Sequence, residues 1–261
     1  IVLMNVQKAV EGFRISLLAD GYSPHTLKRY EGGLGLLSDY LGNPEVSTIT
    51  IQDLRKFMVW LRNDYEPKRF SIDSSPLSGA SLDNYWKSIR TFFRWAETDL
   101  DINRPDLNLS APKYQTDPIE PFTKKEVSKL MEASKKNLAG HKRPTTKRDQ
   151  AILMVLLDTG IRRGELLRLE MSDMKRNEDT GLYSIQIRPY NSGRKSKSRI
   201  VYTGKSFIRY LWRYISEKEL PHGDDPLFLT IHNKPMSGSS VYHLIKGIAE
   251  RAGVENVYPH R

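Results

Sequence analysis

Apolar positions recur at steps of three and four along the first hundred residues, which is the spacing of one buried helix face. The stretch 23–41 shows this most clearly, because Ser23 is a suitable N-cap and Pro24 stands at the first helical position. Similar spacing predicts a third helix over 52–64 and a fourth over 81–97. We therefore expect four helices in residues 1–98 and an all-α fold there.

Beyond residue 121 the pattern is mixed. Thr123 and Glu126 predict a capping box, and the apolar run Ala151–Leu157 predicts a helix that is buried on all sides. Two strand-like runs, 182–188 and 197–203, enclose a turn and predict a β-hairpin. The remaining predicted elements are a helix opened by Arg162 and Glu165, helices over 205–218 and 239–252, and a short strand over 227–230.

Prolines divide the chain. Residues 99–121 contain four of them, which interrupt any regular element, and Asn and Asp fill the gaps. The sequence thus predicts an all-α domain over 1–108, a proline-rich linker over 109–121 and a mixed α+β domain with a small β-hairpin sheet over 122–261.

Composition limits the possible classes of protein. The 261 residues are 38% hydrophobic and 28% charged, which is typical of a soluble, folded protein, and no apolar run is long enough to span a membrane. The sequence has no cysteine, and its histidines lack metal-ligand spacing, so we expect no metal and no cofactor. A cytoplasmic location is the matching expectation.

The net charge of +10 suggests a polyanionic partner, and nucleic acid is the commonest one. Two stretches without any acidic residue, 133–148 and 180–216, hold fourteen Lys and Arg residues between them. On the fourth predicted helix, Lys87, Arg90 and Arg94 lie away from the apolar face. A basic face could be merely solvated, but several in one chain favour a phosphate-binding surface.

Arg162 follows directly on the buried helix, after Gly160 as a suitable left-handed cap. Its side chain therefore starts from a fixed point, and a guanidinium can hold two phosphate oxygens in one plane. The alternative is an ordinary ion pair with Glu165 at the start of a helix.

Three motifs follow one another along the second half of the chain. Thr159-Gly160-Ile161-Arg162, with Glu165-Leu166, is followed by the hairpin, and the sequence closes on Tyr258-Pro259-His260-Arg261. Together they resemble the first arginine box, the lysine hairpin and the His-x-x-Arg box of the tyrosine recombinases, the phage integrase family with its Xer-type members. The resemblance covers the whole chain, since the first half is similar to the family's SAM-like helical domain that clamps DNA.

The resemblance implies a set of site residues. Arg162 and His260 match catalytic residues, Glu165 and Asp173 match supporting acids, and DNA contacts are expected from a basic set: Lys87, Arg90, Arg94, Arg194 and Arg199. An ungapped alignment puts Arg194 at the position of the catalytic lysine. A shift of one residue brings in Lys195 instead, and Lys197 matches the second lysine of the pattern, so both lysines stay candidates.

The family's second arginine is expected two residues past Arg261, and its nucleophilic tyrosine later still. Tyr258 does not qualify, because the family's tyrosine follows the histidine. The chain starts with Ile rather than Met, so we expect the sequence to be cut at both ends and the catalytic domain to be truncated. A natural protein that ended here would be catalytically inactive.

The resemblance implies a site-specific recombinase that cleaves and rejoins DNA through a 3′-phosphotyrosine. Its partners would be duplex DNA with an inverted-repeat site and further copies of itself, up to a tetramer on nucleoid DNA. Two alternatives stay open: a non-catalytic DNA-binding protein on the same fold, and a hairpin telomere resolvase or type IB topoisomerase-like enzyme. The target sequence, and the choice between chromosome-dimer resolution and mobile-element integration, cannot be read from the residues.

Overall fold

The computed structural model describes residues 4–67, 75–115, 118–135, 145–189, 198–216 and 224–257. The chain divides into two compact units, Ile1–Asp117 and Pro118–Arg261. Each unit has its own hydrophobic core, and the two cores have no residue in common. Within the described ranges, no helix has the length and apolar character that crossing a membrane requires.

The first unit is helical, with α1 at Val6–Ala19, α2 at Pro24–Leu41, α3 at Ile51–Asn63 and α4 at Gly79–Leu100. A side-chain oxygen caps each N-terminus, and Ser23 does so for α2 as its sequence predicts. The fourth helix is longer than the predicted 81–97, because Ser78 caps it and Asp101 ends it in a left-handed conformation. The prediction of four helices is confirmed for the part of this unit that the structure describes.

Aromatic rings pack against one another in the core of this unit. Phe13 of α1 meets Phe92 of α4 edge to face at 5.7 Å between ring centroids, and Phe57, Phe92 and Phe93 are fully buried. The chain after α4 also belongs to this core, since Ile102 and Leu109 are buried in it. The chain that follows α4 is therefore packed against the helices as far as Leu109.

The second unit is mixed α+β, as the sequence predicts. Its elements in chain order are α5 (Lys124–Ala133), α6 (Thr146–Thr159), α7 (Arg163–Leu166), β1 (Met174–Arg176), β2 (Tyr183–Ile187), β3 (Arg199–Tyr202), α8 (Lys205–Ile215) and α9 (Gly238–Ala252). The strands form one antiparallel sheet in the order β1-β2-β3, with Met174 opposite Ile185 and Ile187 opposite Arg199.

Two details of the sheet differ from the sequence prediction. The strand β1 was not foreseen, because three residues are too few to show a period. The predicted strand over 227–230 does not form. The backbone N–H of Leu227 bonds the carbonyl of Leu169, and Leu229 makes only an isolated bridge to Pro235. Its apolar residues, Leu227 and Phe228, fill the core without belonging to a ladder.

The helix α6 carries the core of this unit. Ala151, Ile152, Leu153 and Val155 are buried in it, whereas Leu157 near its end is only partly covered. The prediction of burial on every side thus holds for the first half of the run and not for its end. The end of α6 lies near the surface, and the chain turns there into the candidate site.

Candidate active site

Arg162 has a firmly held backbone. Gly160 ends α6 with φ 62° and ψ 23°, a conformation that glycine adopts without steric cost, and its N–H bonds the carbonyl of Leu156. Ile161 is then buried, and Arg162 is extended as the N-cap of the single-turn helix α7. The guanidinium projects from this anchored start with its side chain 64% exposed.

Glu165, in contrast, is buried, with 5% of its side chain exposed. Its carboxylate accepts a hydrogen bond from the backbone N–H of Arg162 at 2.7 Å. The Nη1 atom of Arg162 lies 3.4 Å from Oε1, a long contact. The stronger partner is Arg199 of β3, which donates Nη1 to Oε1 at 2.8 Å and Nη2 to Oε2 at 2.7 Å. This is the two-pronged pairing of a guanidinium with a carboxylate.

These bonds decide the charge of Glu165. Burial by itself raises its pKa, but the hydrogen bonds from Arg199 and from the Arg162 backbone outweigh burial and lower the pKa from 4.5 to about 2. The same pairing raises the pKa of Arg199 above its ordinary value. Glu165 is therefore a permanent anion at neutral pH, beside an exposed arginine.

A second ion-pair group lies next along the chain. Arg188, just after β2, bonds Asp173 through Nε and Nη2 at 3.0 Å and Glu170 through Nη2 at 2.7 Å. Its Nη2 also donates to the backbone carbonyl of Arg168 at 2.7 Å. The hydrogen bond that Arg188 donates to Glu170 raises the pKa of Arg188, and the charges of Asp173 and Glu170 act in the same direction. Buried Asp173 thus ties the chain after α7 to the end of β2.

The structure brings three of the expected residues, Arg162, Glu165 and Arg199, into one cluster. The other catalytic candidates, Lys195, Lys197 and His260, lie outside the described residues, as does Arg194. Whether those side chains converge on Arg162 stays a prediction.

The sequence motifs do not show the partner of Glu165. They predict that Arg199 contacts DNA, yet its guanidinium holds the buried carboxylate with two donors. Strand alternation offered a signal, because Arg199 and Val201 share the face of β3 that turns inward, while Ile200 and Tyr202 are exposed. An arginine on an inward face needs a buried acid, and Glu165 is that acid.

The three basic residues of α4 differ from one another. Lys87 is exposed and pairs with Asp83 one turn earlier, and Arg94 is exposed. Arg90 donates Nη1 to the backbone carbonyls of Asp106 at 3.2 Å and Leu107 at 3.3 Å. It therefore holds the chain after α4 in place, a contact that helical periodicity could not show.

Sequence reasoning also passed over two basic residues of α2. Lys28 and Arg29 are exposed, and both line an open pocket of about 350 Å³ between α2 and α4. Arg29 reaches the Oδ1 atom of Asn84 at 3.4 Å across it. Two basic side chains of α2 thus border a concave surface whose other side is formed by α4. In the described ranges, no three His, Cys, Asp or Glu residues form a group able to hold a metal ion.

Comparisons with known proteins agree with this architecture. Tyrosine recombinase XerD of Listeria monocytogenes serotype 4b (strain F2365) is 26% identical over 263 residues, which span 96% of this chain and 80% of that protein. Tyrosine recombinase XerC of Alcanivorax borkumensis is 25% identical over 244 residues, which span 92% of this chain and 72% of that protein.

Solved structures show the same fold. A lambda integrase(75-356) dimer bound to a COC′ core site matches 98% of this chain and 86% of its own, with a TM-score of 0.73 at 14% identity. XerH site-specific recombinase bound to difH substrate, in a pre-cleavage complex, matches 97% of this chain and 71% of its own, with a TM-score of 0.66 at 18% identity.

Family models cover both units. The model of the phage integrase N-terminal SAM-like domain matches residues 10–99, and the model of the phage integrase family matches residues 120–261, more than half of the chain. The chain belongs to the phage integrase family.

Proposed function

We propose that this protein is a site-specific DNA recombinase of the tyrosine type. The observation that carries the proposal is the pair Arg162 and Glu165: an exposed guanidinium on an anchored backbone, beside a buried carboxylate that stays ionised. Such an arginine can meet one phosphate at a defined position. The named relatives XerD and XerC are recombinases, and this favours strand exchange over the non-catalytic and telomere-resolving alternatives.

The proposed reaction exchanges one ester bond for another. A tyrosine hydroxyl attacks the phosphorus, the bond to the 5′ oxygen breaks, and the strand stays attached through a 3′-phosphotyrosine. The freed 5′ hydroxyl of another strand then attacks that link and restores a phosphodiester. The energy of the bond is conserved, so the reaction consumes no ATP.

Each catalytic group has a physical task in this reaction. Arg162 would bind the non-bridging oxygens, whose negative charge grows in the transition state. Lys195 or Lys197 would protonate the leaving 5′ oxygen, a task for which arginine is unsuited because it hardly releases a proton. His260 would act on the attacking tyrosine hydroxyl, as its base or as its hydrogen-bond partner. We expect the tyrosine and the second arginine to follow Arg261.

DNA binding would be shared between the two units. Exposed Lys28, Arg29, Lys87 and Arg94 supply cations to a duplex on the first unit. We further propose an inverted-repeat site occupied by two copies, with tetramers during exchange. A lambda integrase tetramer bound to a Holliday junction, with the same fold, supports this assembly.

The test is trapping of the covalent intermediate. A nicked suicide duplex is incubated with the natural full-length protein and with its Arg162→Ala variant, and adducts are resolved on a denaturing gel. We expect the variant to form adducts about a hundredfold to a thousandfold more slowly, because one transition-state donor is lost. Duplex affinity should change little, since one arginine is a small part of a many-phosphate interface.

Arg162→Lys is the matched variant that keeps the charge. It should rescue little activity, because an ammonium cannot hold two oxygens in one plane. Wild-type adduct levels from Arg162→Ala would contradict the role of Arg162, and a wild-type protein that forms no adduct would contradict the proposed function.

A further inference from the structure

We propose that Arg199 is a positioning residue for catalysis: by occupying both oxygens of Glu165, it leaves the guanidinium of Arg162 available to the reacting phosphate. This inference rests on the proposed function, because it concerns how Arg162 stays free to bind the phosphate in that reaction. It assigns to the hairpin strand a role separate from that of its candidate lysines.

The distances around Glu165 are unequal. Both Nη atoms of Arg199 lie within 2.8 Å of the carboxylate, one on each oxygen. The side chain of Arg162 makes one contact with it, at 3.4 Å. The carboxylate is thus satisfied mainly by Arg199 and by the backbone of Arg162. The side chain of Arg162 contributes little, and 64% of it is exposed.

The strand β3 places Arg199 for this task. Ile187 of β2 is its partner in the ladder and is buried, and Val201 packs against the core two residues later on the same face. The ladder pairing and the packed neighbour fix the backbone from which the Arg199 side chain starts. Its own side chain is 38% exposed and lies over the buried carboxylate.

Removal of Arg199 would leave a buried anion short of partners. Burying an unpaired charge is costly, so the carboxylate would draw in the nearest cation. The side chain of Arg162 already lies 3.4 Å from Oε1 of Glu165. A tight ion pair between Glu165 and Arg162 would occupy the donors of Arg162 and draw its guanidinium toward the protein surface. The phosphate would then have to displace Glu165 before it could be bound.

The experiment separates this mechanism from general damage. We would measure the single-turnover rate of adduct formation, the duplex affinity and the melting temperature for Arg199→Met and for Arg199→Met combined with Glu165→Gln. The single variant should form adducts about a hundredfold more slowly at unchanged duplex affinity, since small misplacement of a catalytic group has effects of that order. The double variant should form adducts at least tenfold faster than Arg199→Met, because a neutral amide does not compete with phosphate for Arg162.

Recovery in the double variant is the decisive result. A double variant no faster than Arg199→Met would overturn the proposal, because Arg199 would then act other than through Glu165. If Arg199→Met does not fold, Arg199→Lys gives the same test. Its single ammonium covers the carboxylate incompletely, so it should be slowed, and adding Glu165→Gln should again speed it up; no gain would overturn the proposal. Arg176→Met, which removes an exposed arginine from β1, is the matched control and should keep the wild-type rate.

Failure of this inference can be told from failure of the proposed function. Wild-type protein that forms no adduct contradicts the function itself. Wild-type protein that forms adducts, together with Arg199→Met at the same rate, contradicts only the positioning role.

Discussion

At the scale of single residues, Glu165 combines two opposite influences. Burial disfavours its charge, and the donors of Arg199 and Arg162 favour it more strongly, which leaves its pKa at about 2. A carboxylate held in this way stabilises the fold only while it is ionised. Its electrostatics can therefore be tested by the dependence of stability on pH, without any DNA.

We predict that Glu165→Gln removes a stabilisation that depends on pH. Because the pKa of Glu165 is lower in the folded state than its ordinary 4.5, the stabilisation is complete above about pH 4.5 and is lost as the pH falls toward 2. A shift of this size corresponds to about 3 kcal/mol. Urea unfolding of wild type and variant from pH 6 to pH 3 should show the difference in unfolding free energy shrinking.

Glu178→Gln is the control, since Glu178 is an exposed carboxylate of the same unit. Glu178→Gln should change the unfolding free energy little, because substitutions of exposed surface residues usually do. If the difference in unfolding free energy between wild type and Glu165→Gln stays constant with pH, the carboxylate is not held ionised by Arg199.

At the scale of elements, two arginines of α4, Arg90 and Arg94, have different tasks. Arg90 bonds two carbonyls of the chain that follows the helix, whereas Arg94, one turn later, is exposed. Helical periodicity gave both the same expected role in DNA binding. The difference arises because residues 102–109 fold back onto the helix near Arg90.

Arg90→Ala and Arg94→Ala should therefore act differently. We expect the first to lower the unfolding free energy by about 1–3 kcal/mol, because two carbonyls lose a charged donor. The second should change it by less than about 0.5 kcal/mol, and should weaken duplex binding and reduce the slope of log affinity against log salt by about 0.9, the value of one phosphate contact. Equal stability of the two variants, or an Arg94→Ala variant that binds DNA as wild type does, would contradict this division.

At the scale of the whole molecule, the two units have separate cores. The first core includes residues up to Leu109, and the second begins with Leu130. The unit boundary falls between Asp117 and Pro118. Each core thus has its apolar partners within one stretch of chain, which is the condition for independent folding.

A fragment that starts at Pro118 should consequently fold by itself. We expect limited proteolysis within 109–121 to release it, and the purified fragment should keep its helical circular dichroism and unfold cooperatively in urea. The fragment 1–117 should behave in the same way when its circular dichroism and its urea unfolding are measured. Fragments that are unfolded when separated would show that the units depend on each other for stability.

The sequence by itself determined the local features. Ser23 caps α2, Thr123 and Glu126 form a capping box, and Gly160 ends α6, because each depends on atoms within a few residues. The motif around Arg162 and Glu165 is local in the same sense, and with the hairpin and His260 it resembled the family to which the chain belongs. The roles of Lys195, Lys197 and His260 stay predictions.

Only the tertiary structure decided which distant groups meet. Arg199 pairs with Glu165 across 34 residues of sequence, Arg90 bonds the chain beyond its helix, and Leu227 bonds Leu169 without forming a strand. Each of these contacts depends on how strands register and how segments pack against a core. Periodicity shows which side of an element is buried, but the partner on that side is chosen by the fold as a whole.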